Sequence, residues 1–194
     1  MAHPIFGPEL RSLIQDGPDE ELKEFCEALH PATVAETLVD ELDVEETWRV
    51  LRLTKVQTRA DIFEYFPLER QVEMVDGAGQ QEMARLIEEM SPDDRADLLL
   101  RLDKAVADPL LRLVDKADRQ DIAKLVQYQE ETAGALMTTE YAWVPDDING
   151  AQALERMRLQ APETETIYYV YVLNNQRKLL GVLSLRDVIM MKPE

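Results

Sequence analysis

The sequence predicts an α+β protein: an acidic, all-α superhelix of short helices followed by a small β-α-β-β-α domain. Before residue 128, apolar side chains fall at helical spacing between repeated helix-start signals. After residue 140, runs of β-branched and aromatic side chains suit strands. Between them, Gly134 and its small neighbours break the helical pattern. We therefore predict a helical domain at 1–127, a joint at 128–136 and a second domain at 137–194.

The helical part is punctuated by start signals. Proline in a first helical turn and acidic residues after it both favour a helix N-terminus. Such signals stand at 17–19, Pro31, Asp43, Pro67, 91–93 and Asp118. The helices between them are too short to be stable alone in water, so they must bury a shared core by stacking. We predict a compact superhelix of about nine or ten short helices.

The second domain combines strand-forming runs with two helical segments. Its predicted elements are a strand at 141–144 ended by Pro145, a helix opened by 146–147, a strand at 167–173, a returning strand at 179–183 and a helix from Ser184. The run at 167–173 is almost continuously β-forming, which predicts a central strand covered on both faces.

Charge restricts the function. The net charge is −18, with 29 acidic and 15 basic residues before Tyr128 and 10 and 6 from Tyr128 onward. A helical half with this much negative charge argues against binding of nucleic acid, which requires a basic surface. Cations or a basic partner surface are the natural ligands. We find no catalytic constellation and expect no enzyme.

Other residue types give smaller indications. The single cysteine, Cys26, lies in an apolar helical pattern and is interpreted as a small buried hydrophobe in a reducing compartment. The richest apolar stretch, 98–114, is interrupted by charged residues and cannot span a bilayer. No signal peptide is evident, and we expect the chain by itself to be soluble.

Several runs of the sequence together resemble a known family. In the second part they are Leu136-Met137-Thr138, Val144-Pro145, Ala153-Leu154, the strand at 167–172 and 181–187, and before it they are the run 88–99 and the joint 128–137. On these residues the second part resembles a CBS domain, and the helical part and the joint resemble the cytosolic region of the MgtE family of magnesium transporters. The family continues into a second CBS domain, a connecting helix and a membrane pore, so we expect this chain to be a fragment of a longer protein rather than a truncated relative.

The resemblance implies a function. It makes the chain a magnesium-sensing regulatory region at the cytoplasmic face of the cell membrane, acting on a transmembrane pore domain. Two alternatives stay open: a standalone CBS module that senses adenine nucleotides, and a helical scaffold without a ligand.

The resemblance also implies a magnesium site. Asp93 and Asp97 lie one turn apart on one predicted helical face, with Asp94 beside them and Glu89 before them. In the family, acids of this helix help bind regulatory Mg²⁺, which prefers oxygen ligands and keeps waters. The alternative is purely structural, because acidic residues after Ser91-Pro92 also describe a well-formed helix start.

A nucleotide site is the second implication. Ser184, Arg186 and Asp187 fit the Ser/Thr-x-x-Asp pattern with which CBS domains bind ATP or another adenine nucleotide. The alternative is a capping box in which Ser184 and Asp187 bind each other's backbone.

Tyr168, Tyr169 and Tyr171 are interpreted as core and interface residues. Since CBS domains pair through apolar faces, the resemblance also predicts a homodimer through this domain.

Overall fold

A computed structural model describes residues 10–14, 17–129, 132–164 and 166–191. Two compact units appear, the first ending at Leu136 and the second beginning at Met137. The α+β fold class predicted from the sequence is confirmed.

The first unit is a run of short helices. A helical segment at 10–14 precedes nine helices in the described part of the chain: α1 (Asp19–Ala28), α2 (Pro31–Glu41), α3 (Val44–Leu51), α4 (Val56–Glu64), α5 (Leu68–Val75), α6 (Gln80–Glu89), α7 (Pro92–Arg101), α8 (Lys104–Leu113) and α9 (Lys116–Leu125). The prediction of nine or ten helices is confirmed. The start expected at Asp118 was wrong, because Asp115 is the N-cap of α9 and Asp118 lies in its first turn.

Helix packing follows a simple rule in this unit. Each helix from α1 to α7 packs against the helix two places further along the chain. Together they bury one continuous apolar core that includes Leu22, Trp48, Phe63 and Leu98. Cys26 is part of this core, as predicted, and it is a free thiol. The superhelix is therefore stabilised by tertiary packing rather than by any single helix.

Turns over 126–128 and 133–136 connect α9 with the first strand. Gly134 lies under the ring of Tyr128, where an added Cβ would come within 2.3 Å of the ring atom Cδ1. A glycine is needed here because the aromatic ring closes over the backbone.

The second unit is a three-stranded sheet with helices. Its elements are β1 (Tyr141–Pro145), α10 (Gly150–Gln160), a 3₁₀ turn (Ala161–Glu163), β2 (Thr166–Leu173), β3 (Leu179–Ser184) and α11 (Leu185–Met190). Strand order is β1-β2-β3, with β1 parallel to β2 and β2 antiparallel to β3. Ala142, Val144, Val170 and Val188 belong to a separate small core.

Two predictions for this unit were wrong. The expected helix start at 146–147 is a turn, and α10 begins at Gly150 because Asn149 and Gln152 form a capping box. Strand β2 is central, but it is not covered on both faces. The side chains of Tyr168 and Tyr169, which are adjacent and so point to opposite faces of the strand, are 73% and 59% exposed.

No helix among the described residues has the length and apolar character needed to cross a membrane.

Candidate functional sites

The acidic start of α7 is built by residues from three helices. Ser91 is the N-cap of α7, but its side chain does not cap the helix backbone. Its hydroxyl instead donates to Oδ2 of Asp94 over 2.9 Å. The backbone N–H of Ser91 donates to the Glu64 carboxylate at the end of α4. The positive end of the α7 dipole is thus satisfied by a carboxylate from elsewhere in the chain.

The two acids singled out in α7 are both half-buried. Oδ1 of Asp93 is shielded from solvent and has no hydrogen-bond partner. Since a buried carboxylate oxygen normally has a partner, this atom is an unused acceptor at the start of the helix. Asp97 lies one turn further along α7 on the same face.

The surrounding charges reinforce one another. Burial, with the nearby carboxylates of Asp94 and Asp61 adding to it, raises the pKa of Glu64 to about 7 against the opposing effect of its bond from Ser91. The pKa of Asp61 is also raised, first by burial and then by the charge of Glu89. Carboxylates of α4, the end of α6 and the start of α7 therefore oppose one another's ionisation.

The predicted metal residues do not form a complete site by themselves. Within the described ranges, no three aspartate, glutamate, histidine or cysteine side chains form a group able to hold a metal ion. Glu89 is exposed at the last position of α6. Its neighbour Glu88 is engaged elsewhere, accepting from the backbone N–H of Asp115 over 2.9 Å. What fits magnesium is the oxygen chemistry of Asp93, Asp94 and Asp97 and the unused Oδ1 atom.

The second candidate site is an open cleft of about 690 Å³ in the second unit. It is lined by Tyr168, Tyr169, Ser184, Leu185, Arg186, Ile189 and Met190. Two of the three predicted nucleotide residues, Ser184 and Arg186, therefore lie on its wall. Most of the remaining lining is apolar, which suits a flat aromatic ring more than a phosphate chain.

Asp187 takes part in a capping box at the start of α11. Its backbone N–H donates to Oγ of Ser184 over 3.1 Å, and its Oδ2 accepts from the Ser184 N–H over 2.9 Å. The hydroxyl of Ser184 also donates to Oδ2 over 2.6 Å. These bonds, the hydroxyl first, lower the pKa of Asp187. The capping geometry predicted as the structural alternative is present, and it uses only Oδ2 of the carboxylate.

Sequence reasoning missed Glu64 and Asp61. Both lie in an amphipathic helix whose polar positions look like an ordinary solvated face. Only the fold brings them to α7, whose N-cap is 27 residues beyond Glu64.

The two units together define a CBS-domain protein with a helical N-terminal unit. Residues 29–131 match the MgtE intracellular N domain family, and residues 133–193 match the CBS domain family. The chain therefore belongs to the MgtE family, which confirms the resemblance seen in the sequence.

Individual relatives agree with this assignment. The magnesium transporter MgtE of Thermus thermophilus is 35% identical over 187 residues, covering 95% of this chain and 41% of the relative. The magnesium transporter MgtE of Bacillus subtilis is 28% identical over 182 residues, covering 94% and 40%. The chain thus spans about two fifths of the length of these curated relatives.

Solved structures show the same fold. The cytosolic domain of the Mg²⁺ channel MgtE in complex with ATP superposes with a TM-score of 0.85 at 34% identity, covering 97% of this chain and 77% of that one. The soluble part of a magnesium transporter gives a TM-score of 0.86 at 28% identity, covering 96% and 73%.

Proposed function

We propose that this chain is the magnesium-sensing regulatory region of a magnesium transporter or channel, acting at the cytoplasmic face of the membrane on a transmembrane pore domain. The observation that carries the proposal is the start of α7, where Oδ1 of Asp93 lacks a partner and the adjacent Asp94 contributes to the raised pKa of Glu64. Family membership supplies the identity of the ion. A non-enzymatic role follows from the same argument, because the site offers charge and no reacting group.

We propose that sensing is a shift of the equilibrium between an open and a closed arrangement of the protein. Carboxylates of Asp93 and Asp97 repel any second acidic surface that approaches α7. A divalent cation supplies the charge that offsets this repulsion. Because Mg²⁺ keeps several of its waters, a few carboxylates from two surfaces are enough to hold it. If the ion binds the closed arrangement better, its concentration sets the fraction of closed pores. The second surface is a further CBS domain, this chain's own second unit or another copy.

Thermal unfolding tests the proposal. We expect Mg²⁺ to raise the melting temperature beyond sodium chloride at matched ionic strength, since simple screening also stabilises an acidic chain. At about 100 times the dissociation constant, one site stabilises the fold by roughly 2.7 kcal/mol. Asp93→Ala with Asp97→Ala should remove most of the excess. Equal effects of magnesium and matched sodium on the wild type would show that this chain holds no complete site.

The matched control lies on α1. Glu21→Ala with Glu24→Ala removes the same charge from two exposed positions of the same unit. The proposal requires this pair to keep the magnesium-specific excess. If the control loses it as well, the ion is responding to total charge rather than to α7.

A second candidate function is nucleotide sensing at the cleft, alone or together with magnesium. A related structure is a complex with ATP, and in this chain Tyr168, Tyr169 and Arg186 offer rings and a guanidinium to such a ligand. Calorimetry with ATP tests it. We expect Arg186→Gln to weaken ATP binding about tenfold, whereas Lys178→Gln should not. Binding of neither ATP nor magnesium would leave a helical scaffold without ligand.

Association through the second unit is the remaining part of the proposal. Besides Tyr168 and Tyr169, the side chains of Val182, Ile189 and Met190 are at least half exposed. An apolar surface of this kind on one small domain marks an interface. We propose a symmetric pairing of two copies, or pairing with a second CBS domain in a longer chain. Light scattering should detect dimers at high micromolar concentration, and a monomer there would count against self-pairing.

A further inference from the structure

Two arginine side chains lie over the indole ring of Trp143. The guanidinium carbon of Arg156 lies 4.2 Å from the centroid of this ring, and that of Arg177 lies 5.2 Å away. Nε of Arg156 also donates to the Trp143 carbonyl over 3.3 Å. Nη2 of Arg177 donates to the hydroxyl of Tyr141 over 2.8 Å. Two like charges are thus drawn to one ring by π and hydrogen-bond contacts.

Neither guanidinium is neutralised by the described residues. No carboxylate among them lies within ion-pair distance of Arg156 or Arg177, whereas Arg158, on the same helix, pairs with Glu155 over 3.4 Å. In a chain of net charge −18, two converging guanidinium groups without a described carboxylate partner are a distinct feature. Their donors that are not used by Trp143 and Tyr141 remain available for an anion.

The backbone adds an independent observation. Arg177 is the one non-glycine residue in the described ranges with a positive φ, of 57°. Such a position costs an arginine roughly 1 kcal/mol or more, whereas asparagine or glycine adopts it more readily. The turn between β2 and β3 therefore keeps an unfavourable residue type whose side chain reaches Trp143.

We infer that Trp143, Arg156 and Arg177 form a binding site for a phosphate group, separate from the magnesium and nucleotide sites proposed above. Two guanidinium groups carry the charge of a phosphate dianion, and its oxygens can accept from both at once. One carboxylate would neutralise only half of that charge. None of the three residues lines the cleft beside Ser184.

Nuclear magnetic resonance of the full chain tests the site, because the chain has two tryptophans. Trp48 is a built-in reference, since its indole N–H is buried and donates to the Met74 carbonyl. We expect sodium phosphate to move the Trp143 indole N–H signal saturably, beyond sodium chloride at matched ionic strength, and to leave Trp48 in place. Glycerol phosphate, as a second arm, shows whether a phosphate ester is accepted as well as the free ion.

Variants assign the effect to the two arginines. Arg156→Gln and Arg177→Gln should each weaken phosphate binding about tenfold, and Arg158→Gln should leave it unchanged. Arg177→Asn separates binding from structure, because asparagine tolerates the positive φ. It should lose phosphate binding while the melting temperature is kept.

Three results would overturn the inference. One is a Trp143 signal that responds to phosphate no more than to chloride. Another is a phosphate titration that is unchanged in the Arg156 and Arg177 variants. The third is a Trp143 signal that follows protein concentration instead of phosphate, which would make carboxylates of a second copy the occupant.

Discussion

Arg95 of α7 is buried to 1% exposure and forms an ion pair with Asp118 of α9, with Nη1 and Oδ1 3.0 Å apart. The pair joins two helices that are neighbours in space but not in sequence. The arginine is thus enclosed by the fold and does not contribute to the exposed charge of the unit.

Replacing Asp118 by asparagine should destabilise the helical unit. The change weakens the charge-assisted bond from the buried Arg95 to residue 118, so we expect the free energy of unfolding to fall by about 2–3 kcal/mol. Urea denaturation measures this value. Asp121→Asn in the same helix is the control and should change it by less than about 0.5 kcal/mol. An equal loss of unfolding free energy in the two variants would show that the buried ion pair does not stabilise the fold.

Gly77 and Gly79 should respond differently to alanine. An added Cβ at Gly77 would lie 2.9 Å from Cδ1 of Trp48, whereas nothing lies within 4 Å at Gly79. We expect Gly77→Ala to cost about 1–3 kcal/mol by overpacking against the buried indole. Gly79→Ala meets no neighbouring atom, but alanine is a poorer N-cap than glycine for α6, so it should cost less than Gly77→Ala, up to about 1 kcal/mol. Thermal melts of both variants provide the comparison, and a reversed order would contradict it.

Glu64 should make stability depend on pH. Its pKa is raised from 4.5 to about 7 in the fold, so between these values the folded chain holds a proton that the unfolded chain has released. The free energy of unfolding therefore falls as pH rises through this window. Glu64→Gln does not titrate and keeps an acceptor for Ser91. The unfolding free energy of the variant minus that of the wild type should therefore be roughly 1–2 kcal/mol larger at pH 8 than at pH 5, allowing for partial solvent screening.

Urea denaturation at the two pH values measures the difference. Glu24→Gln, at an exposed position of α1, serves as the control and should show no comparable change between pH 5 and pH 8. A Glu64→Gln variant that keeps the full pH dependence of the wild type would exclude Glu64 as its source.

Cys26 should be inert while the chain is folded. Burial, with a smaller effect from Glu27, raises the pKa of its thiol to about 12, so almost no reactive thiolate exists at pH 8. A thiol reagent should label it only as fast as the helical unit opens, and added denaturant should accelerate labelling. Labelling at the rate of a free cysteine in buffer would show that α1 is not packed as described.

Local signals were enough to predict most of the architecture. Apolar residues at helical spacing, prolines in first turns and a β-forming run at 167–173 identified a helical unit, a joint and a β-α-β-β-α unit. The prediction that β2 is covered on both faces was wrong, and the boundary errors fell where a neighbouring cap changed the start of a helix. Asp115 starts α9 before Asp118, and Asn149 delays α10 beyond the acids at 146–147.

The sequence by itself determined the fold class and the family, because helix periodicity, strand composition and run motifs are all local. It also named Asp93, Asp97, Ser184 and Asp187 as candidates for binding. Only the tertiary structure decided which distant groups meet: Glu64 of α4 reaches the backbone of Ser91, and Arg177, in the turn between β2 and β3, meets Trp143 of β1. These contacts join residues 27 and 34 positions apart, and the electrostatic environment of a side chain depends on distance in space rather than along the chain.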